Sequence, residues 1–139
     1  MTAAATLGQV VIRPGEATDA AFCHSSWLRS HLFNSKWSQL VGECYHHEHS
    51  EVIKRLLDRG EVRIAGWSED PETIIGWCCV EPATVHYVYV RKEFRRRGIA
   101  RLLLGPQCAP GISYTHRTTD WDRLHWPGER TYNPYPGLR

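Results

Sequence analysis

A basic stretch, RKEFRRRGIARLLL at residues 91–104, is the part of the sequence whose residue types point most directly to chemistry. A helix that begins at Gly98 would leave its first backbone N–H groups unpaired and carry a partial positive charge there. Gly98 has no Cβ, so a phosphate can approach those groups closely. Four arginines add side-chain charge around the same point, namely Arg95, Arg96, Arg97 and Arg101. The stretch predicts a diphosphate site; a solvated basic helix start and a contact with nucleic-acid phosphates are the alternatives.

A second polar cluster, ECYHHEHSE, occupies residues 43–51. Its thiol and imidazole groups are of the types that bind zinc, and they are Cys44, His46, His47 and His49. The spacing matches no familiar zinc motif, and adjacent histidines rarely bind one ion together, so we expect no metal site. Two interpretations remain. One is a polar loop with a helix start. The other is part of a catalytic or acceptor site, because histidine titrates near neutral pH.

Charge is distributed unevenly along the chain. The formal net charge is +2, but residues 91–101 alone carry six Lys or Arg against one Glu. Residues 1–90 carry seven basic side chains against eleven acidic ones. This concentration favours a local anionic ligand over a nucleic-acid surface that covers the whole protein.

Length and composition indicate one globular domain over residues 1–139, with 42% hydrophobic and 23% charged residues. No apolar run approaches the ~20 residues of a membrane span, and the N-terminus lacks the features of a signal peptide. Five cysteines without regular spacing make a disulfide framework improbable. We therefore predict a cytoplasmic protein without membrane contact.

The pattern of apolar residues predicts the order β-α-α-β-β-β-α-β, followed by an irregular, packed tail at residues 118–139. In the second helix, SEVIKRLLDRG, Ser50 would be the N-cap and Gly60 the end. Residues 33–47 are predicted to be a loop with a turn of helix. Cys78 and Cys79 would point to opposite faces of a strand. The fold class is α+β, with a mostly antiparallel sheet flanked by helices.

The segment HYVYVRKEFRRRGIARLLL, residues 86–104, resembles motif A of the Gcn5-related N-acetyltransferases, the GNAT superfamily, and we assign the whole motif to residues 84–104. That motif has an apolar strand and then Arg/Gln-x-x-Gly-x-Gly/Ala at the start of a helix. The matching residues are Val88, Val90, Phe94, Arg95, Gly98 and Ala100. Lys92 stands where many members have proline. The order of elements is similar over residues 9–117, so the resemblance implies a GNAT-like acyl-CoA N-acyltransferase fold.

The resemblance also implies a co-substrate, acetyl-CoA. Backbone amides of residues 96–101 would hold the pyrophosphate, and the backbone of residues 88–90 would pair with the pantetheine arm and polarise the thioester carbonyl. The residues implied in this binding are Val88, Tyr89, Val90, Arg95, Arg96, Arg97, Gly98, Ile99, Ala100 and Arg101.

Acyl transfer to an amine needs a base and a proton donor to the leaving thiolate. The Asn…Leu-Tyr-x-x-x-Gly-Phe pattern that usually carries the acid is absent, and Gly105-Pro106 shortens the motif A helix. The resemblance places the connection of the first two helices beside the acceptor, which makes His47 the predicted base. Asp120 is predicted to line the cleft and Tyr132 to be the acid. The alternatives are His86, Glu81 and His116 for the base or cleft, and Tyr114 and Tyr135 for the acid.

Three functions remain open at this point. The first is an N-acetyltransferase that acts on a small-molecule or protein amine. The second is a DNA-base modification enzyme similar to the GNAT-like phage Mom family, because the tail is rich in aromatic and arginine residues that could bind a nucleobase. The third is a non-catalytic CoA-binding module. Homodimers are common in the superfamily, so the resemblance also implies a homodimer as one possible oligomeric state.

Overall fold

The computed structural model describes residues 9–34, 38–116, 124 and 126–133, with side chains in these ranges except at 31–34 and 38–47. The order of elements within these residues is β-α-α-β-β-β-α-β-β, and short 3-10 turns lie at 17–19, 92–94 and 105–107. The elements are β1 (Val10–Pro14), α1 (Ala20–Asn34), α2 (Ser38–Arg59), β2 (Glu61–Trp67), β3 (Gly76–Glu81), β4 (Thr84–Val90), α3 (Ile99–Leu104), β5 (Ile112–Tyr114) and β6 (Arg130–Tyr132).

The strands form one sheet in which the spatial order from β1 to β6 follows the order in the chain. The pairs β1–β2, β2–β3 and β3–β4 are antiparallel, whereas β4–β5 and β5–β6 are parallel. The predicted α+β class, with a mostly antiparallel sheet flanked by helices, is therefore confirmed.

Helices cover both faces of the sheet. On one face, Trp27 of α1 and Ile53 of α2 pack into a core that contains Cys79, and both are fully buried. On the other face, Leu103 of α3 packs into a second core, which contains Cys78. The two cysteines therefore point to opposite faces, as predicted.

The helical region differs from the prediction at residues 33–47. α1 continues to Asn34, and α2 already begins at Ser38 and runs for 22 residues. Ser50, the predicted N-cap, lies within α2, where its Oγ is 3.0 Å from Nε2 of His24 in α1. The segment has no proline and no glycine pair to stop a helix, but its polar histidines and glutamates obscure the apolar stripe that would have revealed one. The predicted end at Gly60 is correct.

The tail also differs from the prediction. Arg130–Tyr132 is a strand, β6, and pairs in parallel with β5 through Ile112–Arg130, Ser113–Thr131 and Tyr114–Tyr132. A three-residue strand is too short to show an alternating pattern, so its sequence does not reveal it. None of the helices among the described residues is long and apolar enough to cross a membrane.

Candidate functional site

A cleft of about 590 Å³ opens where β4 and β5 separate. The two strands pair only at Thr84–Ser113 and Val85–Tyr114, and β4 continues to Val90 without β5 beside it. Residues 87–90 line the cleft along this open edge. The site thus has a strand edge as one wall, with backbone groups available to an extended ligand.

The backbone of β4 directs polar groups into the cleft at alternate residues. The N–H of Arg91 donates to the carbonyl of Ile75, on the β3 side of the strand. Since successive residues direct their N–H and C=O groups to opposite edges, Val88 and Val90 direct theirs away from β3 and towards the cleft. The carbonyl of Val90 accepts a hydrogen bond from Nε of Arg95 at 2.8 Å, which agrees with this orientation.

A β-bulge interrupts β4 at His86. Cys79 lies opposite Tyr87, while its neighbour Val80 lies opposite Val85, so His86 is one residue too many for the pairing. The bulge reverses the orientation of the backbone, and Val85 therefore pairs with β5, while Val88 faces the open cleft.

The loop between β4 and α3 turns sharply through two left-handed residues. Arg96 has φ of 65° and Gly98 has φ of 80°, and Gly98 is also the N-cap of α3. The first helical hydrogen bond runs from the N–H of Leu102 to the carbonyl of Gly98 at 3.1 Å. The preceding N–H groups, at residues 99–101, have no partner within the helix and lie at the end that lines the cleft.

This end of the cleft is strongly basic. Arg95, Arg96 and Arg101 line it together with Gly98 and Ala100, and no acidic residue is found among the described lining residues. Arg97 does not line it, and its guanidinium lies 5.9 Å from the centre of the Phe94 ring instead. Positive side chains and N–H groups of the backbone therefore converge on one point, as an anionic group requires.

The C-terminal segment supplies the opposite wall. Cys108, Leu124 and Trp126 line the cleft, and Nε1 of Trp126 donates to the carbonyl of Ala109 at 3.0 Å. The guanidinium of Arg130 in β6 contacts this indole, 5.6 Å from the centre of the ring. Sequence analysis did not assign these residues to the site, although the aromatic composition of the tail indicated that it is packed.

The α1 side of the cleft is aromatic. Ser30 lines it, and so does Tyr87, whose ring stacks on buried Trp27 at 5.2 Å between centres. Tyr89 also lines the cleft and contacts Phe22 edge to face at 6.3 Å. Two tyrosine side chains are therefore at the open strand edge; Tyr89 was among the predicted donor-site residues, whereas Tyr87 was not assigned to the site.

The structure brings most of the predicted donor-site residues together. The cleft wall includes nine of the ten, all except Arg97, and they are Val88, Tyr89, Val90, Arg95, Arg96, Gly98, Ile99, Ala100 and Arg101.

The predicted catalytic residues have other outcomes. The side chain of His47 and all of Asp120 lie outside the described residues. Tyr132 is half-buried in β6, with its ring 5.5 Å from that of Tyr114, and neither tyrosine lines the cleft. The assignment of Tyr132 as the acid therefore stays a prediction that the cleft itself does not support.

Comparisons with known proteins indicate one family and one fold. The profile of the Acetyltransferase (GNAT) family matches residues 29–105, more than half of the chain. No curated protein sequence matches the chain.

Among solved structures, a possible acetyltransferase from Clostridium difficile 630 matches with a TM-score of 0.52 and 16% identity, over 94% of this chain and 83% of that one. Apo-form YjaB from Escherichia coli has a TM-score of 0.48 at 16% identity, over 68% and 61% of the two chains. A GNAT family acetyltransferase from Elizabethkingia anophelis with acetyl-CoA bound has a TM-score of 0.42 and 20% identity, over 69% of this chain and 53% of that one. In the last two comparisons this chain spans less than two thirds of the other protein.

Proposed function

Because the chain belongs to the GNAT family of acetyltransferases, we propose that it transfers an acetyl group from acetyl-CoA to an amine. The observation that carries the proposal is the cleft, which joins an arginine-lined loop to the open edge of β4. One end suits the diphosphate of CoA, and the strand edge suits an extended pantetheine arm. Residues 1–139 would then be one domain of this family.

The diphosphate would bind at the start of α3. The N–H groups of residues 99–101 point into the basic end of the cleft, and Arg96 and Arg101 flank them. Arg95 serves this end mainly by fixing the loop, since its Nε is bonded to the carbonyl of Val90. Each charge-assisted hydrogen bond to a phosphate oxygen contributes ~1.5–3 kcal/mol, so a few of them account for useful affinity.

The pantetheine arm would lie along β4. Its amides alternate donors and acceptors, which suits the carbonyl of Val88 and the N–H of Val90, both of which face the cleft. The acetyl group would then lie beside Tyr87, just before the bulge at His86. The N–H of Val88 would polarise the thioester carbonyl and stabilise the charge that develops on its oxygen.

In the reaction, the amine nitrogen attacks the thioester carbon, a C–N bond forms and the C–S bond breaks. An amine that arrives as R–NH₃⁺ loses two protons on the way to the amide. The first leaves before the attack, since only a neutral nitrogen has a lone pair, and the second leaves through a base as the C–N bond forms. An acid gives a proton to the leaving thiolate and forms CoA-SH. Tyr89 is the cleft tyrosine best placed to donate to the thiolate, because it lines the strand edge and is partly exposed.

The acceptor would enter from the α1 side, past Ser30. This wall carries the aromatic rings of Tyr87 and Tyr89. The proposed acceptor is a small-molecule or protein amine. The nucleobase alternative stays a prediction, since much of the tail on which it depends lies outside the described residues.

Calorimetric titration with acetyl-CoA tests the proposal. We expect Arg96→Glu to weaken binding by at least about tenfold, the loss of one charge-assisted contact. Arg97→Glu is the matched control, because it makes the same charge change one residue away from the cleft wall. At ~0.15 M salt, where charges are screened over ~8 Å, its effect is expected to stay within about threefold.

A folded wild-type protein that does not bind acetyl-CoA would contradict the proposal. Equal losses in the two variants would mean that general positive charge, and not the described site, holds the ligand. Binding followed by release of CoA-SH with members of a panel of primary amines would establish the transfer, and binding with no turnover would favour a CoA-binding module.

A further inference from the structure

Five side chains form a continuous series of hydrogen bonds beside the cleft, the histidine chain: Glu81, His86, Thr115, His116 and His49. Glu81 Oε2 is 2.6 Å from Nε2 of His86, whose Nδ1 is 3.0 Å from Oγ1 of Thr115. Oγ1 is in turn 2.9 Å from Nδ1 of His116. Nε2 of His116 is 2.8 Å from Nε2 of His49 in α2. Every link has hydrogen-bond geometry.

The middle of the histidine chain is buried. His86 is 1% exposed, Thr115 is 4% exposed and His116 is 7% exposed. The β-bulge puts His86 at the seam between β4 and β5, and Thr115 and His116 directly follow β5. Polar groups in such a place are costly to bury unless each one is bonded, and here each one is.

The carboxylate fixes the direction of every proton. Hydrogen bonds from His86 and Arg59 outweigh the burial of Glu81 and hold its pKa below the ordinary value, so Glu81 accepts. His86 therefore donates from Nε2. Burial lowers the pKa of His86, an effect that Glu81 partly opposes, so the ring is neutral and its Nδ1 accepts from the hydroxyl of Thr115.

The same logic continues to the far end. Thr115 has given its only proton to His86, so its oxygen accepts from Nδ1 of His116. When the ring of His116 is neutral, its Nε2 accepts from the Nε2–H of His49. Burial lowers the pKa of His49 to about 4, so at neutral pH this ring is neutral as well. Its lone pair is on Nδ1.

This end of the histidine chain is connected to the cleft through the ring of buried Trp27. The ring of His116 meets Trp27 edge to face at 4.9 Å, and Trp27 stacks on Tyr87, which lines the cleft. Glu81 lies at the other end, with its side chain 28% exposed and paired with Arg59 at 3.0 Å. A fixed carboxylate at one end and an imidazole nitrogen at the other is the arrangement of a base with its orienting groups.

We propose that His49 is the base of the transfer reaction, which takes the amine's proton through one water molecule at Nδ1, and that the rest of the histidine chain holds it in the required tautomer. This inference rests on the proposed function. The attacking nitrogen becomes acidic as the C–N bond forms, so a weakly basic imidazole suffices. The first ammonium proton leaves to solvent before the attack, because only the neutral nitrogen has a lone pair. His49 takes the second proton as the C–N bond forms and passes it to solvent, while Tyr89 protonates the thiolate and regains its proton from solvent.

Three described groups lie next to members of the histidine chain. His24 of α1 is bonded to Ser50, next to His49. Arg59 of α2 pairs with Glu81, and the thiol of Cys79 in β3 lies near that carboxylate with a pKa raised by burial. His24 provides a matched control, because it is a histidine bonded between α1 and α2 but is outside the histidine chain.

The first test uses the full protein with ¹⁵N-labelled histidine rings at pH 7.5. Long-range ¹H–¹⁵N spectra report which nitrogen carries the proton. We expect Nε2–H at His86, Nδ1–H at His116 and Nε2–H at His49, and a mixture of tautomers in Glu81→Gln. A protonated His49, or an Nε2–H tautomer at His116, would overturn the proposal.

The second test measures kcat from pH 6 to 9 by release of CoA-SH, with the primary amine of the panel that the wild type acetylates fastest. We expect a decrease of roughly a hundredfold for His49→Gln and about tenfold for Glu81→Gln. For His49→Gln, log kcat should still rise at pH 9, where the wild type has levelled off. His24→Gln should stay within about twofold. A purely structural role would leave the shape of the pH profile unchanged.

The outcomes separate the two proposals. Each variant is first titrated with acetyl-CoA, and unchanged affinity with lost turnover supports His49 as the base. Wild-type kcat and pH profile in His49→Gln would overturn this role and leave the proposed function intact. If the wild type binds acetyl-CoA but accepts no amine, the slow hydrolysis of acetyl-CoA is measured in the same variants. Water then takes the place of the amine as nucleophile and also loses a proton to the base. A wild type that does not bind acetyl-CoA would remove both proposals.

Discussion

The basic loop and the histidine chain are assembled over very different distances along the sequence. All groups of the loop fall within residues 91–101, so their spacing alone determines where they lie. In the histidine chain, His49 and His116 are 67 residues apart, and His86 and Thr115 are 29 apart. A local turn can thus present a binding site by itself, whereas a proton-transfer group in this fold depends on the packing of α2 against the end of β5.

The largest effect on acetyl-CoA affinity is expected from a change in the loop between β4 and α3. Gly98→Asp puts a side chain and a negative charge at a residue with φ of 80°, where the diphosphate would bind. We expect acetyl-CoA affinity to fall by more than about a hundredfold, since a lost contact and a like-charge repulsion add up. Calorimetry on the folded variant measures this.

Gly111→Asp is the control for backbone strain. Gly111 has nearly the same φ, 81°, and a Cβ there would meet nothing within 4 Å. Both variants should lose similar stability, roughly 1 kcal/mol for a left-handed residue with a side chain, but Gly111→Asp should bind normally. Equal loss of binding in both would show that strain, and not the site, is the cause.

A smaller effect is expected at the open strand edge between the two regions. Tyr89→Phe should lower kcat by about tenfold with little change in acetyl-CoA affinity, because it removes one proton donor. Tyr132→Phe is the matched change at a tyrosine outside the cleft wall. A larger loss of kcat in Tyr132→Phe than in Tyr89→Phe would mean that Tyr132, the residue predicted from the sequence, is the acid.

The smallest effect concerns stability and pH. The pKa of His49 is about 4 in the folded protein and near ~6.5 when unfolded. Between these values the unfolded chain binds the proton more tightly, so the stabilisation from neutral His49 is complete above pH ~6.5 and is lost as pH falls towards 4. Chemical denaturation at several pH values should show this decline in the wild type and a flatter dependence in His49→Gln. Parallel curves would mean that His49 is not desolvated.

Sequence alone grouped most of the residues that line one end of the cleft, because their signals are local. The strand at Val88–Val90, the turn at Gly98 and the arginines all lie in one continuous motif. The acceptor side was less accessible. His49 and His116 were each noticed, but nothing in the sequence pairs them, and His47 was preferred within the cluster. The helix at residues 38–49 was missed because its polar residues hide the apolar stripe, and β6 was missed because three residues carry no period.

The parallel pairing of β5 and β6 has a consequence for the order of folding. β2, β3 and β4 are joined by short connections, at residues 68–75 and 82–83, and such local antiparallel pairs form early. The parallel strands close longer loops, since 15 residues separate Tyr114 from Arg130. We therefore expect a kinetic intermediate in which β2, β3 and β4 are paired but Trp126 has not packed against the cleft. In this intermediate the basic loop would be formed without the indole beside it, and acetyl-CoA would speed the docking of Trp126.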